Sequence, residues 1–394
     1  MSKRLSGEEE FDSLIAPVKM LTRFISTWPF DEKDHATDKS IFRFRLFQII
    51  HYAIILGLTF GLGIAVLMDG IRNWGAMEEL TECTLIASSF LLCFFRVIIF
   101  LFQSKNVLII VRDMREDWAT SSEEDRKVLR KNCGSSYKLA KFFISSVVFT
   151  IIAFMAMPAL EIVLLGSEER NLPFRGYFGI DASQSPIYEL LYALEVSGGA
   201  IGGATIAGVT SFNLVTIMHA SAKFSVLQRH ISLIKNDDER SKDLLRSCIQ
   251  EHQKAIEFAD RLEEVINKVA LGQFLSSTGM VCFAGLQITS MLEDTGRLMK
   301  YSSFLNSAIF ELFIFSFSGN ELAVQSGGIA NSGFNSDWVG SSFGKNLQIM
   351  MMRATKPSKI TAAKFYDMSL ESFSTVLSTS FSYFTTLRAV NEEG

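Results

Sequence analysis

Six blocks of apolar residues recur along the 394-residue chain, at about Leu46–Met68, Thr81–Phe102, Phe142–Leu165, Leu190–Met218, Val269–Met291 and Ser303–Ala323. Each reaches about the 20 residues a helix needs to cross a bilayer. A last stretch, Ser369–Val390, has that length but another pattern: ten of its 22 residues are Ser or Thr. Ser372, Thr375, Thr379, Ser382 and Thr386 recur at steps of three and four, so a helix puts them on one face. Phe373, Leu377, Phe384 and Leu387 fall on another. A hydroxyl in hydrocarbon needs a partner. Two readings are open: a pore-lining helix, or a buried bundle helix whose hydroxyls bond to backbone carbonyls. The pattern predicts an all-α membrane protein with seven transmembrane helices.

The polar connections set the orientation. Of the 38 Lys and Arg residues, 31 lie in the N-terminus and the even-numbered loops, and six on the other side. Basic residues stay in the cytoplasm. The N-terminus is therefore expected to be cytoplasmic and the C-terminus extracellular. G-protein-coupled receptors have the opposite sense, and the chain lacks their Asp-Arg-Tyr and Asn-Pro-x-x-Tyr motifs. The opening MSKRLSGEEEFD has no apolar core, so targeting is expected to depend on the first span. The lead ends in Phe24 to Phe30, where Trp28 reads as an interfacial anchor.

Two cytosolic stretches look helical and amphipathic. Leu245, Ile249, Ile256, Val265 and Val269 form a stripe within 219–268, and a helix is expected over Ser342–Arg353. Outside the membrane such faces need cover, from each other or from neighbouring subunits. We expect intersubunit burial at Leu245–Val265 and at Asn346–Arg353. The segment 166–189, with Pro173, Gly176, Gly179 and Pro186, is expected to be irregular.

A few residues carry candidate chemistry. Glu311 lies near the middle of the sixth block, where a carboxylate is either functional or a tie between helices. Arg96, at the inner end of the second block, is expected to snorkel to the interface. Gly198/Gly202 and Gly199/Gly203 repeat at i, i+4, a spacing for close helix packing or for a cavity where side chains are missing. The five Cys and five His are dispersed, so no metal site is indicated, and the Cys read as buried thiols. No nucleophile elbow or phosphate loop is present, which argues against an enzyme; no cofactor and no nucleic-acid partner are expected.

The C-terminal third resembles the signature of insect odorant receptors. The residues are Asp337-Trp338, Gln348 to Arg353, Pro357, Thr361 to Tyr366, Ser369 to Phe373 and Ser382-Tyr383-Phe384. Phe317 to Leu322, His252 and Trp28-Pro29 resemble the family elsewhere. The resemblance implies a ligand-gated, non-selective cation channel at the plasma membrane of an olfactory neuron dendrite. It implies a heterotetramer with the family's co-receptor, joined through cytosolic anchor helices. The chain lacks the co-receptor's long insertion between spans four and five, and so looks like the odorant-tuning subunit. The nearest alternative is a gustatory-type channel working as a homotetramer.

The resemblance also places a pocket for a small, mostly apolar volatile in the outer halves of spans two, three, four and six. Ser89, Phe90, Phe149, Ala153, Met157, Tyr192, Phe310 and Glu311 are expected to line it. Ser372, Thr375, Thr379, Ser382, Thr386 and Ala389 are expected to line the pore. Thr386 would take the gate position and Ala389 the outer constriction, in place of the co-receptor's Val and Gln. The expected division is a cytoplasmic N-terminus over 1–45 and spans one to six, with pocket and cytosolic extensions (219–268), over 46–323. A cytosolic helix of the anchor domain (324–368) follows, then the pore helix with a short extracellular tail (369–394). Membrane lipid is the remaining expected partner.

Overall fold

A computed structural model of the chain describes residues 6–29, 38–165, 170–236, 239–290 and 295–393. Among them are ten helices: α1 (Gly7–Phe24), α2 (Asp38–Arg72), α3 (Met77–Phe102), α4 (Ser104–Thr120), α5 (Glu123–Leu165), α6 (Ile187–Ser232), α7 (Glu239–Ser290), α8 (Thr295–Phe334), α9 (Gly344–Ala354) and α10 (Leu370–Glu393). The fold is all-α apart from one small hairpin. Six helices, α2, α3, α5, α6, α7 and α8, are long and apolar enough to cross a membrane. The 24 residues of α10 span about 36 Å, enough to cross, but its hydroxyls keep it less apolar than the other six.

Helix length explains the shape. The 46 residues of α6 and the 52 of α7 run to roughly 69 and 78 Å, against about 30 Å of hydrocarbon. Both therefore continue far beyond the apolar layer at one end, the polar end. There α1 packs on α6, α4 on α6 and α7, and α9 on α8. The core of the bundle follows α6, which is buried almost without interruption from Gly198 to Ala222. The lipid-type surface lies on the outer helices, where Phe47, Ile50 and Phe60 of α2 and Phe95 and Phe102 of α3 are exposed.

The N-terminal lead is more than a tether. Ser6 accepts from the Glu9 amide at 3.2 Å, and Glu9 accepts from the Ser6 amide at 2.8 Å. This reciprocal cap starts α1. Phe11, Ile15 and Val18 then share a face and are buried against α4 and α6. Trp28 is partly buried against the same core, with Lys19 over its ring at 5.6 Å, rather than standing as a free anchor.

The stripe from Leu245 to Val269 is also covered within the chain: Leu245, Val265 and Val269 belong to its core. The expectation that a neighbouring subunit buries this face is corrected. On α9, Leu347 and Met350 are buried while Ile349 and Met352 are exposed.

Between α9 and α10 the chain forms a hairpin, β1 (Thr361–Ala362) against β2 (Tyr366–Asp367). Ala363 and Lys364 turn it with φ of 49° and 67°, a region few non-glycine residues enter. The hairpin is tied to α7. Thr361 donates its amide and hydroxyl to Glu263 at 3.0 and 2.5 Å, and the Tyr366 ring lies 4.2 Å from that of Phe274. A Cβ on Gly319 of α8 would collide with the Met368 carbonyl, so only glycine lets α8 approach the start of α10 this closely.

Candidate functional site

A second, smaller core fills the opposite end of the bundle, the loop end, around Phe90, Phe154, Phe174 and Tyr301. A cavity lies between this core and the middle of the bundle. Its volume is about 90 Å³, counted as room for the centre of a water-sized sphere. One water needs about 10–15 Å³ by that measure, so the space takes roughly six to nine such positions. That is the size of a small volatile.

Each wall has a sequence cause. On α3, Ser89, Phe90 and Cys93 share a face turned to α6. On α6, Gly199, Gly202 and Gly203 leave the wall without side chains. Phe90 lies 3.7 Å from where a Gly202 Cβ would stand. On α5 the stripe Val147, Thr150, Ile151 and Phe154 faces inward, and on α8 Ser307, Ala308 and Glu311 do. Phe174, from the segment between α5 and α6, covers the loop end. Its amide donates to the buried Glu195 at 2.8 Å, and its ring meets Phe90 edge-on at 5.2 Å. The glycine spacing therefore serves both readings, close packing and a cavity.

The polar groups are few and bonded to protein. Ser89 donates to the Leu85 carbonyl at 2.9 Å. Thr150 and Ser307 share a contact of 2.9 Å, and Ser307 meets Ser146 at 2.9 Å. At the deep end Glu311 pairs with Arg96 at 2.8 Å and accepts from Thr210 at 2.5 Å. Arg96 also donates to Gln273. Arg96 is fully buried, so it does not snorkel. The reason is the carboxylate: an inward Arg gives Glu311 its counter-charge, although its Nε and Nη1 make no hydrogen bond, where an outward Arg would leave Glu311 alone in apolar surroundings.

Of the expected lining residues, the structure brings Ser89, Phe90 and Glu311 together at the cavity. It places the other five elsewhere. Phe149 is 54% exposed on the outer face of α5. Ala153 is buried but off the cavity. Met157 lines a separate polar cleft at the loop end with Glu82, Arg175 and Lys300. Tyr192 donates to the Met155 carbonyl at 2.5 Å. Phe310 packs edge-on to Phe142 and Phe143 at 5.2 and 5.7 Å. One residue comes from an unexpected helix, Met280 of α7.

The two faces of α10 are distinct. Val376 and Ser380 are buried, Phe373 meets Phe313 at 5.8 Å, and Phe384 lies over Gly285 of α7. Thr375, Ser382, Thr386 and Ala389 are exposed; Ser372 and Thr379 are half-buried. Four of the five hydroxyls donate to backbone carbonyls of their own segment: Ser372 to Asp367, Thr375 to Glu371, Ser382 to Ser378 and Thr386 to Ser382, at 2.5–3.0 Å. Unmet hydroxyls therefore do not by themselves force this face toward water.

A family model described as 7tm Odorant receptor matches residues 76–381. The chain belongs to the odorant receptor family. It is 30% identical over 229 residues to Odorant receptor 10 of Aedes albopictus, covering 56% of this chain and 61% of that one. It is 27% identical over 264 residues to Odorant receptor 13a of Drosophila melanogaster, covering 61% and 63%. The matched region thus spans less than two thirds of either relative. The structure superposes on the insect olfactory receptor OR5 of Machilis hrabei, determined in complex with eugenol. The TM-score is 0.85 over 98% of this chain and 100% of that one, at 14% identity, a likeness of fold alone. Together with its apolar helices, membership in the odorant receptor family makes this a multi-pass membrane protein.

Proposed function

We propose that this chain is the odorant-binding subunit of a ligand-gated, non-selective cation channel, assembled as a heterotetramer with the odorant receptor co-receptor. The observation that carries this is the apolar cavity among α3, α5, α6 and α8, in a chain of the odorant receptor family. Aromatic and aliphatic walls hold a volatile by shape and dispersion. The excess of Lys and Arg at the polar end puts that end in the cytoplasm, the cavity in the outer half of the membrane and the C-terminus outside. Phe334, Val339, Ile349, Met352 and Phe365 are each at least 66% exposed, and all lie at the polar end beyond the apolar layer. They supply an apolar surface for neighbouring subunits. The exposed hydroxyl face of α10 supplies the pore wall, with Thr386 at the gate.

Expression in a heterologous cell with G-protein signalling blocked tests this. Odorants should evoke cation current when the co-receptor is co-expressed and little without it. Current that needs G-protein signalling refutes the channel, and equal current without the co-receptor refutes the heteromeric assembly.

A further inference from the structure

We propose that the cavity selects a small neutral molecule carrying one hydroxyl, an alcohol or phenol, and that Glu311 is the residue that reads it. The Arg96 and Thr210 contacts of Glu311 both go to Oε1. Oε2 accepts no hydrogen bond from the described residues. Glu311 is 5% exposed and lines the cavity, so the little surface it keeps is at that space. A buried carboxylate oxygen without a donor is costly, and a ligand hydroxyl meets it directly. The other polar groups of the wall do not compete. Ser89, Thr150 and Ser307 have protein acceptors within 2.9 to 3.1 Å, and the Cys93 thiol lies 3.5 Å from the Gly202 carbonyl. Arg96 has no exposed surface from which to donate to a ligand. The cavity thus offers an acceptor, while the unpartnered Nε and Nη1 of Arg96 lie behind it without exposed surface.

Charge excludes the alternatives. Arg96 balances Glu311, so an ammonium ligand adds an uncompensated charge to an apolar site. A ligand carboxylate meets Glu311 head-on. Ethers, ketones and hydrocarbons fit the walls but leave Oε2 unmet. A site built to bond a hydroxyl rejects the analogue that lacks it more strongly than a shape difference of one methylene does.

This rests on the cavity being the ligand site, so the test separates the two. Matched probes are benzyl alcohol, benzyl methyl ether, toluene and benzylamine. They are applied to the full chain with the co-receptor, as evoked current, and to the purified full chain, as ligand-induced thermal shift. The alcohol should act at about ten- to hundredfold lower concentration than the ether or the hydrocarbon in both assays. The preference should collapse toward one in the double variant R96M/E311L, which removes both charges together. Equal potency of alcohol and ether in the wild-type chain overturns the inference while leaving the cavity as a ligand site. Binding of none of the probes overturns it together with the pocket. If the double variant does not fold, the wild-type comparison still decides.

Discussion

The ion pair at the deep end of the cavity has a predicted stability signature. Arg96 is fully buried, the Glu311 side chain is 6% exposed, and the two meet at 2.8 Å. Removing one partner leaves a buried charge unmet, which costs about 3–5 kcal/mol. Arg96→Met also strands the Gln273 oxygen and Glu311→Leu the Thr210 hydroxyl, each adding about 1 kcal/mol. Replacing both gives up the attraction and the desolvation cost together, so R96M/E311L should lie within about 2 kcal/mol of the wild type. The coupling energy is then at least about 6 kcal/mol, well above the usual 0.5–3 for neighbours. Unfolding of the detergent-solubilised chain should therefore rank both single variants far below the double variant. Two near-neutral single variants, or a double variant as unstable as the added singles, would show that the pair does not hold α3 to α8.

Four further outcomes follow from the structure. Gly202→Ala puts a methyl 3.7 Å from Phe90, an ordinary contact, so the chain should fold while the largest ligands lose roughly tenfold or more in potency. In Gly203→Ala the methyl stands 2.6 Å from Ile151 and should cost about 1–3 kcal/mol of stability, read by thermal unfolding. Burial pushes the Asp117 carboxyl up, but the His219 contact at 2.9 Å and Lys223 at 2.5 Å outweigh it and hold it below the usual carboxylate range. Its stabilising share is therefore present above its unfolded pKa, about 3.9, and is lost as pH falls through the lower folded value. Asp117→Asn should be less stable than wild type at neutral pH, with the gap closing in acid. On α10, cysteines replacing Thr375, Ser382 and Thr386 should react with charged aqueous thiol reagents and block evoked current, whereas cysteines at Val376 and Ser380 should not. Equal reactivity on both faces refutes a pore-facing stripe.

Much of the fold can be read from length and hydropathy, because a 20-residue apolar run has few alternatives to a spanning helix. The six blocks coincide with α2, α3, α5, α6, α7 and α8 to within their extensions. What escaped was local. The Ser6-Gly-Glu-Glu9 pattern is a capping box followed by Phe11, Ile15 and Val18 at helical spacing, so α1 was present in the sequence as a start signal and a stripe. Four acidic residues among the first seven after Ser6 masked it as a polar lead. The hairpin left no such signal: it turns through Ala363 and Lys364 at positive φ, where turn chemistry favours Gly, Asn or Asp.

The site was harder to read for a geometric reason. Each step along a helix rotates a side chain by about 100°, so naming the right segment does not name the right face. On α5 the expected residues Phe149, Ala153 and Met157 form a stripe at helical spacing, and so do Val147, Thr150, Ile151 and Phe154. Only the second faces the cavity. Composition favoured the first, because aromatic and thioether side chains suit a ligand, but Phe149 suits the exposed flank of a membrane helix equally well. Charge gave the stronger constraint. A buried carboxylate must find a partner wherever it lies, and Arg96 is the one Lys or Arg inside the six apolar blocks. Pairing the two fixes the rotation of α3 against α8 and turns Ser89 and Phe90 toward the same space as Glu311. The hydroxyls of α10 give no such constraint. Each can donate to the carbonyl four residues back, so a Ser/Thr stripe is satisfied against lipid, protein or water alike. Its exposed position leaves the choice to whatever covers that face in the assembled receptor, and reactivity toward an aqueous thiol reagent measures that cover directly.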